Sequence, residues 1–251
     1  HSLDRVGAGT PAWILVKRPL RSVVTVNPFS LTLATILVVI ALFFLQIPIL
    51  DLIELRTYDL RFWSRGLVRA SPTVVLTMVD EKSLDAEGRW PWPRAKLARL
   101  VDLVSRDGAK VIAFDIGFPE ADEEHADIDR DLARSMRESP AAIVLGYFFH
   151  MRERDEDYQI DQAEIDREIE LISASKYPLL MYRTAEAVEV ELPRAYAPES
   201  NLSLFTEAAK SSGYFSVKQD ADGAVRWMPL VIQAGDDLFP PLSVLATWHY
   251  L

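Results

Sequence analysis

The chain has 251 residues, nearly half of them apolar and a quarter charged, which suits one sizeable globular domain with a small annex and rules out a wholly disordered chain. The absence of cysteine excludes disulfide scaffolds, thiolate metal sites, iron–sulfur clusters and cysteine nucleophiles, and leaves the redox compartment open. A formal charge of -10 argues against a general nucleic-acid binder, because neutralising phosphates needs clustered Lys and Arg.

The first residue is His1 rather than Met, so the sequence reads as a segment of something longer. Between Ser22 and Leu50 no residue is charged, and from Phe29 to Ile47 only Ser30, Thr32, Thr35 and Gln46 interrupt the apolar run. A helix of about 20 such residues rises roughly 30 Å, the thickness of a bilayer's hydrocarbon core. A buried core helix of that length would carry a polar stripe, and a signal peptide would be shorter and end at a small-residue cleavage site. Neither fits, so residues 28–50 are predicted to be a retained membrane span. Ahead of it stand Arg5, Lys17, Arg18 and Arg21 against Asp4 alone, and the acidic excess lies wholly behind it. Basic flanks stay in the cytoplasm. Residues 1–27 are therefore expected in the cytoplasm, and the bulk of the chain on the other side of a cell inner membrane, periplasmic or extracellular for a bacterial source.

Beyond the span, Ile49, Leu52, Ile53, Leu55 and Tyr58 recur at helical spacing, which predicts a stalk over residues 51–72 whose helix ends near Gly66. Its apolar stripe fits packing on its own domain or pairing with a second copy, and a homodimer is expected. Thr73–Val79 is a β-branched run bounded by Pro72 and Asp80, a strand signal. Arg94–Asp107 follows with Leu97, Leu100, Val101 and Val104 on one face, Pro93 before it and Gly108 after it. Lys110–Phe114 is a second strand, apolar at four consecutive positions, which suits a parallel sheet covered on both faces. An amphipathic helix at Asp127–Glu138 leads to a third strand at Ala141–Phe149. The charged stretch 151–170 is an excursion. Leu204–Ser211 reads as a short helix, and Tyr214–Gln219 with Ala224–Ile232 flank an Asp-Ala-Asp-Gly turn, a hairpin signal. Pro240 and Pro241 open a last helix over Leu242–Leu251. The predicted fold is α/β: an N-terminal transmembrane helix, then an α/β domain with a largely parallel β-α-β-α-β core and a C-terminal β-hairpin.

Asp80 and Asp115 fall at the carboxyl ends of two predicted parallel strands, the edge where open α/β sheets bind ligands. An enzyme would use them as nucleophile, base or metal ligands; the plainer reading makes Asp80 the cap of a turn at Glu81–Leu84 and Asp115 a loop anchor. No glycine-rich phosphate loop follows the first strand. Trp90-Pro91-Trp92-Pro93-Arg94 sets two indoles on a backbone stiffened by two prolines, and forms either one wall of a pocket or a rigid cap. As a pocket wall, Arg94 and the adjoining helix N-terminus would favour an anion. The acidic group Glu120, Asp122, Glu123, Glu124, Asp127, Asp129 and Asp131 lacks the glycine and final glutamate of a calcium loop, and Asp220–Gly223 has its glycine two places early. Both read as solvated loop or turn. His125, His150 and His249 are too dispersed to imply a metal site, and no nucleophile elbow is present. No metal and no cofactor is expected.

Four stretches resemble the CHASE2 domain family, the extracytoplasmic sensor module of bacterial signalling receptors: YDLRFW at Tyr58–Trp63, VVLTMVDEKSLDAEGRWPWPR at Val74–Arg94, GAKVIAFDIGF at Gly108–Phe118, and GYFSVKQDADGAVRWMPLVI at Gly213–Ile232 followed by FPPLSVLA at Phe239–Ala246. The resemblance implies a membrane helix, a sensor domain over 73–239, and residues 240–251 starting back towards the membrane. Further membrane helices and a cytoplasmic output domain would follow, most often an adenylate or guanylate cyclase or a kinase. It also implies an extracytoplasmic small-molecule ligand. The candidate ligand-binding residues are Asp80, Glu81, Trp90, Trp92, Arg94, Asp115 and Phe118, none of them catalytic. The alternative is a membrane-anchored extracytoplasmic hydrolase using Asp80 and Asp115 with a divalent metal.

Overall fold

The computed structural model describes residues 27–45, 48–122, 126–151, 161–178 and 192–251. The chain divides into two compact units, residues 1–69 and 70–251. The basic N-terminal flank, His125 and residues 152–160 of the charged excursion lie outside the described residues.

In the first unit, helix α1 (Pro28–Leu45) buries none of its side chains and has a mean hydropathy of 2.5. Its few polar groups are satisfied within the helix. Ser30 N–H donates to Asn27 Oδ1 at 2.7 Å, and the hydroxyls of Thr32 and Thr35 donate to the carbonyls of Pro28 and Leu31 at 2.8 and 2.9 Å. A helix that satisfies its own polar groups can stand in hydrocarbon, where no water would do so. Its rise of about 27 Å is close to what a bilayer core requires. Helix α2 (Pro48–Arg65) closes at Gly66, whose φ of 71° is the left-handed conformation that ends helices.

The second unit is a mixed α/β domain built on β2 (Ala142–His150). β1 (Val111–Phe114) and β4 (Ser211–Tyr214) pair with β2 in parallel on either side, and β3 (Ala197–Glu199) pairs antiparallel with its far end. Helix α4 (Arg94–Arg106) precedes β1, and α5 (Ala126–Glu138) connects β1 to β2. Leu97 and Val101 from α4, Leu132 and Met136 from α5, Ile143 and Leu145 from β2, and Phe205 from α7 (Ser203–Ala208) form one core on the same sheet face. Tyr147 and Phe149 extend that row into a second cluster with Tyr214, Phe239 and Ile172 of α6 (Gln162–Ile172). The residues between them turn to the opposite face, where α8 (Leu242–Tyr250) lies. A Cβ on Gly213 would stand 2.7 Å from the Leu242 backbone, so only glycine lets α8 approach this closely.

Three predicted elements differ. Thr73 lies in a turn and Val74–Val79 takes no regular secondary structure and joins no ladder among the described residues, so the parallel core is β1-α5-β2 with β4 on the far side. A β-branched run favours an extended backbone; it does not choose the ladder partner. Ser211, expected to end the helix begun at Leu204, instead opens β4, which runs to Tyr214. The expected hairpin around Asp220–Gly223 shrinks to one Lys218–Trp227 bridge, because Arg226 is buried there and holds Asp220 and Asp222 at 2.9 Å. The hairpin of this region is β5 (Ile232–Ala234) with β6 (Asp237–Phe239), turning at Gly235 with φ 59°.

Candidate functional site

β1 ends at Phe114, and the chain beyond it passes over the start of α4. Between them lies a cleft of about 470 Å³ lined by Pro91, Trp92, Pro93, Arg94, Glu120, Ala121, Asp122 and Ile128. It sits at the carboxyl end of a parallel strand, where α/β sheets place ligands.

One wall is the Trp-Pro-Trp-Pro-Arg stretch. Its backbone is stiff, with a cis Trp90–Pro91 peptide and Pro93 at the N-cap position of α4. The indoles meet edge to face at 5.7 Å, and Trp92 Nε1 donates to the Gly88 carbonyl at 2.8 Å. That bond ties the wall to the end of α3 (Glu81–Glu87). Lys96 adds a second tie, its ammonium 2.9 Å from Glu87 Oε2. The Glu87 carboxyl is held below its usual pKa range by that ammonium.

Arg94 organises the floor. Its guanidinium stacks on the Phe118 ring at 4.6 Å, lies 3.4 Å from the Glu120 carbonyl, and places Nε 3.4 Å from Asp129 Oδ1. Asp129 is almost wholly buried, and its Oδ2 accepts the Asp122 N–H at 2.9 Å. Phe118 is fully buried against Phe114 and Phe205, and its N–H donates to Asn201 Oδ1 at 2.7 Å. Asn201 Nδ2 in turn donates to the Gly146 carbonyl at 2.9 Å, so one buried amide pins the post-β1 loop to the central strand.

Of the sequence-selected residues, Trp90, Trp92, Arg94 and Phe118 are brought together. Phe118 supports Arg94 from within the core and does not face the cleft. Asp80, Glu81 and Asp115 are exposed and stand outside the cleft lining. Asp80 is the N-cap of α3: its Oδ1 accepts the Ser83 hydroxyl at 2.8 Å and the Ser83 N–H at 3.0 Å. Those bonds, the hydroxyl first, hold its pKa below the ordinary carboxylate value. The expected anion preference does not follow from the geometry. The Arg94 charge is matched by Asp129, and Glu120 and Asp122 line the same space.

Sequence reasoning missed Asp129, Asn201 and the Glu120–Asp122 side of the cleft. Asp129 had a readable signal, since it shares the apolar face of α5 with Leu132, Ala133 and Met136, where a lone acid needs a partner. Asn201 carried none. Among the described residues, no three His, Asp or Glu side chains gather in a way that could hold a metal ion.

A family model described as the CHASE2 domain matches residues 34–251 of the chain. No curated protein matches it, and no solved structure does.

Proposed function

The chain belongs to the CHASE2 domain family, an extracytoplasmic sensor domain family, and we propose that it is the signal-input module of a bacterial inner-membrane receptor whose cytoplasmic output is a nucleotide cyclase. The observation that carries the ligand-binding part is the cleft beside Trp92, Arg94, Glu120 and Asp122 at the carboxyl end of β1. Trp92 and Ile128 give it apolar surface. Glu120 and Asp122 give it acceptors, and Arg94 is already matched. That chemistry suits a small neutral or cationic molecule with one flat apolar face and hydrogen-bond donors on its rim.

Helix α1 supports anchoring, being long and apolar enough to cross a bilayer. Helix α2 supports pairing with a second copy: it exposes Ile49, Leu52, Ile53 and Leu60, and a shallow apolar groove of about 280 Å³ runs along Leu52, Ile53, Arg56, Thr57 and Leu60. In this reading a ligand favours one of two arrangements of the domain, and α1 and α8 carry the difference to the membrane.

These 251 residues contain no cysteine, so one introduced among them reports their placement. Asp85→Cys on exposed α3 should react with a membrane-impermeant maleimide on intact cells. Labelling only after lysis would put the domain in the cytosol and end the sensor reading. For the cleft, Trp92→Ala and Glu120→Gln in the full receptor should blunt the output response to a conditioned-medium stimulus while leaving basal output and membrane level intact. An unchanged response in both variants would move the ligand site elsewhere.

A further inference from the structure

The run Thr73–Val79 presents its apolar side chains to solvent. Val74, Val75, Leu76 and Met78 are 71–80% exposed in an uncharged segment that has no regular secondary structure. Its hydrogen bonds are local, to Ser71 before it and to Ser83 after it. An uncharged, β-branched, unpaired segment of this kind is an aggregation hazard that folded proteins cover.

The same domain has a matching vacancy. Among the described residues β1 pairs with β2 along one edge only, and nothing there joins its other edge. Its sequence, VIAF, is that of an inner strand, yet Val111 and Ile112 are only half-buried and Ala113 is exposed. An inner-strand sequence at a bare edge and an unpaired β-branched run elsewhere in the domain are complementary.

We propose that Thr73–Val79 is a detachable edge strand that docks in parallel along the free edge of β1 of its own chain, the arrangement seen here being its undocked state. Connectivity favours the strand's own chain over a second copy. The segment leads through α3 into α4, and α4 returns directly to β1; strand, helix and parallel strand form the standard crossover unit. The short connection also holds the segment near β1 at an effective concentration of about millimolar, above that of any free second copy. Alternation then gives both faces of the added strand something to cover: Val74, Leu76 and Met78 line one face, Val75 and Val79 the other. Docking would extend the parallel sheet to Thr73–Val79, β1, β2 and β4. It would also fix the start of α3, which is tied to the cleft wall through Trp92 and Lys96. The inference rests on the fold and not on the sensory reading; it would stand in an anchored protein of another function.

Hydrogen exchange on the full chain in detergent tests it without a mutation. The amides of Val74–Val79 should exchange at least about a hundred-fold more slowly than those of Arg69–Ser71, and alternate β1 amides should share the protection. Exchange as fast as the linker's would overturn the proposal. The cysteine-free background supplies a second measurement. Leu76→Cys combined with Ala113→Cys, treated with a short bifunctional maleimide, should give a cross-linked monomer of raised mobility. A cross-linked dimer would assign the edge to a second copy, and no cross-link would leave it bare. Either result overturns docking within one chain.

Discussion

Removing Arg94 should destabilise the domain through the carboxylate it leaves behind. Asp129 is buried to within a few percent, and its Oδ1 makes no hydrogen bond; its compensation is the guanidinium at 3.4 Å. At an effective dielectric of about 20, unit charges at that separation attract by about 5 kcal/mol. Arg94 keeps some contact with water, and the Nε–H is not aligned on the oxygen, so the realised coupling should be nearer half of that. Stacking on Phe118 contributes about 1 kcal/mol more. Arg94→Ala should therefore cost about 3 kcal/mol, and Asp129→Asn, which strands the guanidinium less severely because Arg94 can turn towards water, about 2 kcal/mol. The double variant Arg94→Met with Asp129→Leu should lie within about 1 kcal/mol of the natural chain, the residue being the lost Asp122 N–H bond. The assay is urea unfolding of the full chain in detergent, followed by the fluorescence of its six tryptophans, among them Trp90 and Trp92 beside the pair, with equal m values as the check on a common unfolded state. With Arg94→Met and Asp129→Leu also measured singly to close the cycle, losses that simply add in the double variant, leaving a coupling energy below about 0.5 kcal/mol, would refute the reasoning.

Two buried phenols give opposite expectations for one substitution. Tyr147 Oη is buried without a partner, so Tyr147→Phe should raise stability by about 1 kcal/mol, whereas Tyr214 Oη donates to the Pro229 carbonyl at 2.6 Å and Tyr214→Phe should lower it by a similar amount. Burial also pushes both phenols above their ordinary pKa. Their contribution is therefore intact below pH about 10, the unfolded value, and is lost as the pH rises, by about 1.4 kcal/mol per unit for each tyrosine; alkaline urea titrations of Tyr147→Phe should show a slope shallower by about that one increment. Asn201→Ala leaves the Phe118 N–H and the Gly146 carbonyl without their partner and should cost about 2–4 kcal/mol by urea midpoint, with Asn201→Asp also destabilising because its oxygen would oppose the Gly146 carbonyl. Gly213→Ala forces α8 away from β4 and should cost about 1–3 kcal/mol, read as lost amide protection over Leu242–Tyr250.

Local chemistry made some elements legible. Helix α4 begins and ends where Pro93 and Gly108 place it, and Gly108 takes the positive φ of 93° that closes a helix. β1 and β2 were readable because their apolar runs are continuous, as burial on both faces requires. β4 was not: Ser211-Ser212-Gly213-Tyr214 has the composition of a turn. It is a strand because Val144–Tyr147 supplies the ladder, and Gly213 has no side chain because α8 lies against it. The Asp-Gly turn misled for a related reason. The pattern fixes a turn, but the buried Arg226 takes both carboxylates and prevents the flanks from zipping. In the site, the Trp-Pro wall was visible because proline and indole restrict conformation locally. Its counterpart at Glu120–Asp122 became a wall through the Arg94–Asp129 pair, which joins residues 35 apart and leaves no local trace.

A receptor of the proposed kind must choose between two states, and the parts of this domain differ in what they offer a ligand. β2 is rigid, its side chains from Ile143 to Tyr147 excluded from water, so it offers a ligand little to shift. A ligand moves an equilibrium only by the difference in its affinity for the two forms, and a change from one in ten to nine in ten requires a ratio of about 80, or about 2.6 kcal/mol. One small molecule can supply that difference if its wall moves between the forms. The wall at Trp90–Arg94 is tied through Gly88 and Glu87 to α3, and α3 starts where Thr73–Val79 ends, capped by Asp80. A strand that docks sets the position of that cap, hence of α3, hence of the indoles. Destroying the cap should then loosen the link between cleft and strand without touching either: in Asp80→Ala, protection of Val74–Val79 should no longer respond to Trp92→Ala, whereas with the cap intact the two should move together.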